Sequence, residues 1–519
     1  MSTQLHDYSL LAKNMPIPCK IKNFRGNYRG NFSLVQYHNR IRRESFVPTT
    51  TDLADCTATE LINLYRTGQA SPVEATQAVL ARIGRLNPVL NAFCVVDPER
   101  ALMAAQASEA RWRQAAPVDI LDGVPVSIKD LILTKGWPTL RGSRTIDPNQ
   151  AWDVDAPVIE RLKEAGAVLL GKTNTPEYGI KATTDNTLTG VTYNPWDTRM
   201  TSGGSSGGAA AAVASGMGPL AVGTDGAGSI RIPCSFCGIP GLKPSYGRVP
   251  AYPPSPMGTV AHIGPQARSV SDLALMLTVL SRPDARDWQS LPYDPRDYRI
   301  GLDDGVRGLR IAFSPDLGYV TNVDSEIAAA VRRAAETFAT LGAHVDEVAP
   351  GFANPEEITT TLWFVGSLSL LSKLTPEQVA LTDPALRRQA EEGRKTSVLE
   401  LQKVTQRRGE LGAFMRLFHQ RYDLLLTPGL SVPAFEAKAT DQWELSLENF
   451  LGWTPFSYPF NLTQQPAAVV PCGLTRSGLP MALQVVGPMH GDALVLRAAR
   501  AFEATREWKL PVVPDPRRP

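Results

Sequence analysis

Apolar residues recur at helical spacing across residues 57–88, a pattern that predicts two consecutive amphipathic helices. Thr57 and Glu60 have the spacing of a capping box at the start of the first helix. Ser71, Pro72 and Glu74 mark the start of the second helix in the same way. The chain is therefore expected to be well ordered from about residue 51 onward.

Short apolar runs alternate with further helical segments along the rest of the chain and predict buried β-strands. Residues 156–174 (APVIERLKEAGAVLLGKTN) predict a helix, a stop at glycine and then a strand. Other strands are expected within GVPVSIKDLI (123–132), PLAVGTD (219–225), LRIAFSP (309–315), YDLLLTPG (422–429), PAAVVPCG (466–473) and LPMALQVVGP (479–488). This alternation predicts an α/β protein with a large mixed β-sheet covered by helices on both faces. No fixed repeat and no long linker divides residues 48–519, so they are expected to form a single domain.

Residues 1–47 differ from the rest, because they hold eight Lys and Arg residues against one Asp and one Glu. A basic, acid-poor beginning can be an organelle transit peptide, although the helical amphipathicity here is poor. We interpret the segment as a poorly ordered N-terminal extension. An artefact of the chosen start codon is an alternative that the sequence leaves open.

Composition narrows the class of protein. The 519 residues are 43% hydrophobic and 20% charged, with a formal net charge of +2, which is typical of a globular protein and gives no sign of a nucleic-acid partner. No apolar run approaches the roughly 20 residues that span a bilayer, so we expect no membrane association and a cytoplasmic protein. Cys234 and Cys237 form a CxxC pair without a second pair or matching histidines, which favours a structural role. No metal and no cofactor are predicted.

The uncharged segment TSGGSSGGAAAAVASG (201–216) could be a flexible linker, a phosphate loop or part of a catalytic site. A Walker-type phosphate loop requires Lys after its last glycine, whereas Gly208 is followed by Ala209. The helix-forming run that follows also argues against a linker. A Gly/Ser turn opening onto a helix leaves backbone N–H groups free to hold negative charge.

Lys129 in GVPVSIKD, Ser205 in GGSSGG and Ser229 in GTDGAGSIRIP are weak signals when each is taken alone. Together with GAVLLGKTNTPEYG, NPWDTRMTSGGSSGG, GPQARSVSDLALML and GLPMALQVVGP, they resemble the amidase signature family from about residue 52 to the C-terminus. The resemblance implies a Ser–Ser–Lys triad, with Ser229 as nucleophile, Ser205 as bridging serine and Lys129 as base. It also implies a cis peptide bond before Ser205, and a supporting hydrogen-bond role for Ser206.

Lysine can act as such a base near neutral pH only if burial and neighbouring groups lower its pKa well below about 10.4. The resemblance further implies supports for the nucleophile loop and an oxyanion hole of backbone N–H groups. The implied supports are Asp225 and Arg231, and the implied donors are Gly226, Ala227, Gly228 and Ser229. The family most often has Gly-Gly before the nucleophile, so Ala227 would be strained if its position required a positive φ.

Aromatic residues are concentrated between about 352 and 460, where they are expected either to pack in the core or to line a substrate cleft. The candidate pocket residues are Trp363, Phe364, Phe450, Trp453 and Phe456. We therefore expect a small-molecule substrate, an aryl amide, anilide or carbamate, with esterase side activity.

Two alternatives to a stand-alone amidohydrolase stay open. One is the glutaminase subunit of a tRNA-dependent amidotransferase, although residues of about 385–422 do not resemble the Tyr-rich helix expected there. The other is a binding protein on a decayed amidase fold, against which the intact Lys129, Ser205 and Ser229 count. A homodimer is compatible with the resemblance, and no sequence pattern bears on it.

Overall fold

The computed structural model describes residues 52–437 and 451–513. The interpretation of residues 1–47 as an extension, and of Phe450 as a pocket residue, lies outside these ranges. Both predicted capping boxes are present, since the Thr57 and Ser71 side chains each accept from the backbone three residues on and the Glu60 and Glu74 side chains reciprocate. They begin helices α1 (Ala58–Thr67) and α2 (Pro72–Leu90).

Twelve further α-helices follow within the described ranges. They are α3 (Pro98–Arg113), α4 (Pro157–Glu164), α5 (Gly207–Ala214), α6 (Arg231–Cys237), α7 (Val270–Leu280), α8 (Ser325–Thr340), α9 (Glu356–Leu371), α10 (Pro376–Leu381), α11 (Pro384–Lys395), α12 (Val398–Arg421), α13 (Pro459–Leu462) and α14 (Asp492–Glu503). Short 3₁₀ turns lie at Leu53–Asp55, Glu177–Gly179 and Gly258–Val260.

Eleven strands form one mixed sheet. They are β1 (Phe93–Val96), β2 (Pro125–Lys129), β3 (Val168–Thr173), β6 (Leu220–Asp225), β7 (Gly241–Lys243), β8 (His262–Ala267), β9 (Arg310–Phe313), β10 (His344–Glu347), β11 (Leu424–Pro428), β12 (Ala467–Leu474) and β13 (Pro480–Val486). A separate two-stranded ribbon consists of β4 (Asp185–Asn186) and β5 (Gly190–Val191).

The order across the large sheet is β1-β3-β2-β6-β8-β7-β12-β13-β11-β9-β10. Strands β3, β2 and β6 run parallel, as do β11, β9 and β10, and the other neighbouring pairs are antiparallel. Parallel strands require crossover connections, which the helices between them provide.

Successive residues of each strand point to opposite faces, so apolar side chains pack against helices on both faces. On β6, Leu220 and Val222 belong to a core with α4, α7, α8 and α14, whereas Ala221 belongs to a second core with α2, α3, α5 and α6. Helices therefore cover both faces of the sheet, as the sequence predicts. Every strand predicted from an apolar run is present, while β1, β4, β5, β7, β8 and β10 are additional.

Candidate active site

Lys129 is the last residue of β2, and its side chain is fully buried. Its Nζ donates to three hydroxyl oxygens, 2.6 Å to Ser205 Oγ, 2.9 Å to Ser206 Oγ and 2.8 Å to Thr224 Oγ1. Burial lowers the pKa of Lys129 well below its ordinary value, and the charge of Asp225 only partly opposes this. A lysine in these surroundings can exist as the neutral amine and accept a proton.

The Gly/Ser segment brings Ser205 to Lys129. The Gly204–Ser205 peptide bond is cis, and Ser206 is the residue immediately before α5. A Cβ on Gly204 would lie 2.5 Å from the backbone carbonyl of Thr183, so only glycine fits this close approach. The glycines therefore belong to a packed turn and not to a linker.

Ser206 and Thr224 connect this turn to strand β6. Ser206 Oγ donates to the Thr224 carbonyl over 3.1 Å and accepts from the Thr224 amide over 3.2 Å. The Ser206 amide donates to the Ser229 carbonyl over 3.1 Å. These hydrogen bonds join the Lys129 environment to the loop that carries Ser229.

That loop runs from the end of β6 to the start of α6 and is folded around the Asp225 carboxylate. Asp225 accepts from the amides of Gly228 (2.7 Å) and Ile230 (3.2 Å) and from two guanidinium nitrogens of Arg231 (3.0 Å each). Both side chains of this ion pair are fully buried. Burial alone would raise the pKa of Asp225, but the Arg231 charge and hydrogen bonds hold it far below its usual range.

The backbone of the loop differs from expectation at one of the four predicted oxyanion donors. The Gly228 amide already donates to Asp225, which leaves the amides of Gly226, Ala227 and Ser229 without an acceptor among residues 52–437 and 451–513. Gly228 has a φ of 129°, whereas Ala227 is not among the residues with positive φ. The alanine is therefore accommodated without backbone strain.

Ser205, Ser229, Thr224 and Gly226 lie on the wall of one cavity of about 210 Å³. About half of the lining residues belong to residues 245–263, and they include the complete segment AYPPSPMG (251–258). Other apolar lining residues are Leu131, Ile132, Trp363 and Leu370, and the rim includes Trp288, which is 82% exposed. The arrangement places two serine side chains beside an apolar space large enough for a small molecule.

The predicted aromatic pocket is only partly reproduced. Trp363 lines the cavity, where its ring lies against Gly226. Phe364 is half-buried and packs on the cluster that contains Trp363, and the other two described candidates are core residues. Trp453 stacks on Phe236 with ring centroids 5.7 Å apart, and Phe456 lies in the core near α12. These two rings are core residues and do not line the cavity, because each packs against apolar neighbours.

Three features of the site were not predicted. They are the Thr224 hydroxyl at Lys129, the proline-rich segment 251–258 of the cavity wall, and Arg141. Thr224 had a sequence signal, since it lies in GTDGAGSIRIP, the same motif as Ser229. The proline-rich segment signals a loop but not which loop closes the cavity.

The two cysteines of the CxxC pair lie on one buried helix. Cys234 and Cys237 are free, fully buried thiols on α6, and burial raises the pKa of both. Within the described part of the chain, no group of three or more His, Cys, Asp or Glu residues could hold a metal ion. No helix in those same ranges is long and apolar enough to cross a bilayer.

Comparison with known proteins places this geometry in a family. The sequence model of the family described as Amidase matches residues 74–496. The chain belongs to the amidase signature family. An acylamidase of Rhodococcus erythropolis is 38% identical over 87% of this chain and 95% of its own length. A glutamyl-tRNA(Gln) amidotransferase subunit of Chloroflexus aurantiacus is 36% identical over 88% of this chain and 98% of its own.

A solved structure of a bacterial aryl acylamidase from the amidase signature family superposes with a TM-score of 0.81 and 34% identity. It covers 87% of this chain and 96% of the other. The amidase signature fold and membership in a family of amidohydrolases acting on carbon–nitrogen bonds are thereby established. Which amide the enzyme cleaves is a separate question, because relatives of similar identity are named for different activities.

Proposed function

We propose that this amidase is a serine hydrolase that cleaves aryl amides, and the related carbamates, through an acyl-enzyme on Ser229. The observation that carries the proposal is the 2.6 Å contact between Lys129 Nζ and Ser205 Oγ in a fully buried setting, with Ser205 and Ser229 on one cavity wall. A serine hydroxyl is a poor nucleophile until a base removes its proton. Here the neutral amine of Lys129 is that base, and Ser205 relays the proton.

In this scheme Ser229 Oγ attacks the carbonyl carbon of the amide, and its proton passes through Ser205 to Lys129. The negative oxygen of the tetrahedral intermediate receives hydrogen bonds from the amides of Gly226, Ala227 and Ser229. Collapse of the intermediate breaks the carbon–nitrogen bond, and the same relay returns a proton to the leaving amine. Water then hydrolyses the acyl ester. Losing one donor of such an oxyanion site typically costs about 100- to 1000-fold in rate.

Two observations favour an aryl substrate. The cavity wall is largely apolar and carries Trp363, with Trp288 at the rim. The similarity to an acylamidase and to an aryl acylamidase supports the same substrate class. Aryl carbamates present the same carbonyl to the nucleophile, and esters are easier acyl donors, so esterase side activity is expected.

The test is amine or ammonia release from an anilide, an aryl carbamate, a primary aliphatic amide and glutamine. We expect turnover of the anilide or carbamate, and its loss by at least about 1000-fold in Ser229→Ala. Ser215→Ala is the matched control, because in the described part of the chain the Ser215 hydroxyl bonds only to carbonyls in the last turn of α5. Turnover confined to small primary amides would contradict the aryl assignment, and full activity in Ser229→Ala would contradict the mechanism.

The glutaminase subunit of a tRNA-dependent amidotransferase is the second candidate, favoured by the 36% identity to such a chain. It would release ammonia from glutamine and pass it to a partner chain. Glutamine turnover alone, with silence on anilide and carbamate, would support it. Co-purification of a stable partner chain from the native source would provide independent evidence for this candidate.

A further inference from the structure

Arg141 lies on the cavity wall with Leu131, Tyr178 and Ser205. Its side chain is half-buried, and its Nε is fully buried without a hydrogen-bond partner. Across residues 52–437 and 451–513, the guanidinium makes no hydrogen bond and no ion pair. An unpaired guanidinium on a cavity wall is available to bind an anion.

The backbone of Arg141 is held firmly beside the reacting serines. Its φ is 55°, a left-handed conformation that non-glycine residues seldom adopt. Its carbonyl accepts from the Tyr178 amide over 2.8 Å. The residue after Tyr178, Gly179, is so close to Ser205 that an added Cβ would lie 3.3 Å from Ser205 Oγ. Arg141 is thus connected to Ser205 through its hydrogen bond to Tyr178 and the close approach of Gly179 to Ser205.

The other ionisable residues on the cavity wall are already compensated. Arg286 pairs with Asp284 over 2.7 Å and Glu160 over 2.9 Å. The two oxygens of Asp287 accept from the backbone amides of Ala251 and Gln289, 2.9 Å each. His262 is neutral near pH 7, since burial lowers its pKa well below the ordinary value.

The Asp130 carboxylate interacts with two cationic side chains, Lys172 and Arg141. Asp130 Oδ1 lies 3.8 Å from Nζ of the fully buried Lys172. The charge of Arg141 also lowers the pKa of Asp130. Lys172 itself donates to the Ile132 carbonyl and to Thr139 Oγ1. Two positive groups against one negative group leave a net positive charge, and Arg141 is the member that reaches the cavity. In a setting of low dielectric, an anion on this wall would be bound more tightly than in water.

We propose that Arg141 is a specificity-determining residue that binds a carboxylate group of the substrate. The inference rests on the proposed function and narrows it to aryl amides that carry a carboxylate. A guanidinium presents parallel N–H donors that match the two oxygens of a carboxylate. The carboxylate can belong to the acyl part or to the leaving amine, and the experiment distinguishes these two sources.

The experiment compares matched charged and neutral substrates. 4-Acetamidobenzoate against 4-acetamidobenzamide tests a carboxylate on the amine side. N-Phenylsuccinamic acid against its carboxamide tests the acyl side. We expect the native enzyme to favour the acid by about 10- to 100-fold in kcat/KM in one pair, mainly through KM, as a charged hydrogen bond implies.

Arg141→Met retains most of the side-chain length but removes the charge, and the acid-to-amide preference should fall to near one. Arg141→Lys should recover part of it. Arg144→Met is the matched control, because Arg144 is exposed three residues along the loop and, among the described residues, its side chain donates only to the Thr187 carbonyl. It should keep the preference of the native enzyme.

A binding measurement keeps the inference separate from the reaction. Benzoate and succinanilate binding to the Ser229→Ala protein is measured by calorimetry, with and without Arg141→Met. Weaker binding by about tenfold or more in the Arg141 variant supports the carboxylate site even if no substrate of the panel turns over. Equal preference for acid and amide in the native enzyme, together with equal binding in both proteins, would overturn it while leaving a Ser229-dependent anilide hydrolase intact.

Discussion

Lys129 and Lys172 make an instructive pair. Both are fully buried, and they lie on the adjacent parallel strands β2 and β3, where Ile128 pairs with Lys172 and Lys129 with Thr173. Lys129 is surrounded by hydroxyl groups, and burial lowers its pKa well below the ordinary value. Burial lowers the pKa of Lys172 only to about 8, since the Asp130 carboxylate favours the charged form.

The difference shows that burial alone does not determine what a lysine does. Two lysines of equal burial differ because one has three hydroxyls and the other has a carboxylate within 3.8 Å. Hydroxyls can exchange a proton with a neutral amine, whereas a carboxylate retains the ammonium. Lys129 therefore suits proton transfer, and Lys172 suits a structural ion pair.

The largest expected effect comes from Lys129→Met. It removes the base, so kcat/KM for the best anilide or ester should fall by about 1000-fold or more, in the range that general bases contribute. The free energy of unfolding should stay the same or rise, because a buried amine without a carboxylate partner is replaced by an apolar side chain. Anilide kinetics and urea unfolding measure the two quantities. An activity loss below tenfold would show that Lys129 is not the base.

Lys172→Met should affect stability more than activity. It leaves Asp130 buried without its ammonium partner, so the free energy of unfolding should fall by about 3–5 kcal/mol. Burial raises the pKa of Asp130 to about 6 even with Lys172 present, so the charged carboxylate is expected to be still less favourable without Lys172. Adding Asp130→Asn should restore most of the lost stability. Urea unfolding of both single variants and the double variant tests this, and additive losses would contradict a coupled pair.

The smallest expected effect concerns the hydroxyls around Lys129. Since the base must be neutral, kcat/KM should rise with pH and level off above the pKa of Lys129. Thr224→Val removes an acceptor that stabilises the ammonium, so that pKa should fall further and the rising limb should move to lower pH by up to about one unit. Turnover should fall about 3- to 10-fold.

Thr173→Val is the control for the Thr224 substitution. Thr173 is fully buried opposite Lys129 on β3, and its hydroxyl has no hydrogen-bond partner within the described ranges. The pH profile of this variant should match that of the native enzyme. A rising limb that moves equally in both variants would mean that general packing, and not the Thr224 hydroxyl, sets the profile.

The sequence was sufficient for elements with strong local signals. Capping boxes at Thr57 and Ser71 and apolar runs such as PLAVGTD depend on neighbours along the chain, and each appears as predicted. Short strands such as β7 (Gly241–Lys243) and β10 (His344–Glu347) were missed, because they have only three or four residues and gain their definition from the adjacent strands.

The site residues divide in a similar way. Motif resemblance was enough to nominate Lys129 and Ser205, which the fold brings within 2.6 Å. It could not tell whether Trp453 faces a cavity or stacks on Phe236, since both surroundings are apolar. Nor could it show that the Gly228 amide is already bonded to Asp225, because that depends on the three-dimensional course of the loop.

The loop around Asp225 has a consequence for how selectivity can change over evolution or in the laboratory. Its shape is set by hydrogen bonds among Asp225, Arg231 and Asn461 of α13, whereas much of the cavity wall belongs to the separate segment 251–258. Replacements such as Met257→Ala or Tyr252→Phe can reshape the space offered to a substrate while the loop keeps its own bonds. The residues that hold the Ser229 loop are thus separate from the wall residues whose substitution can change substrate selectivity.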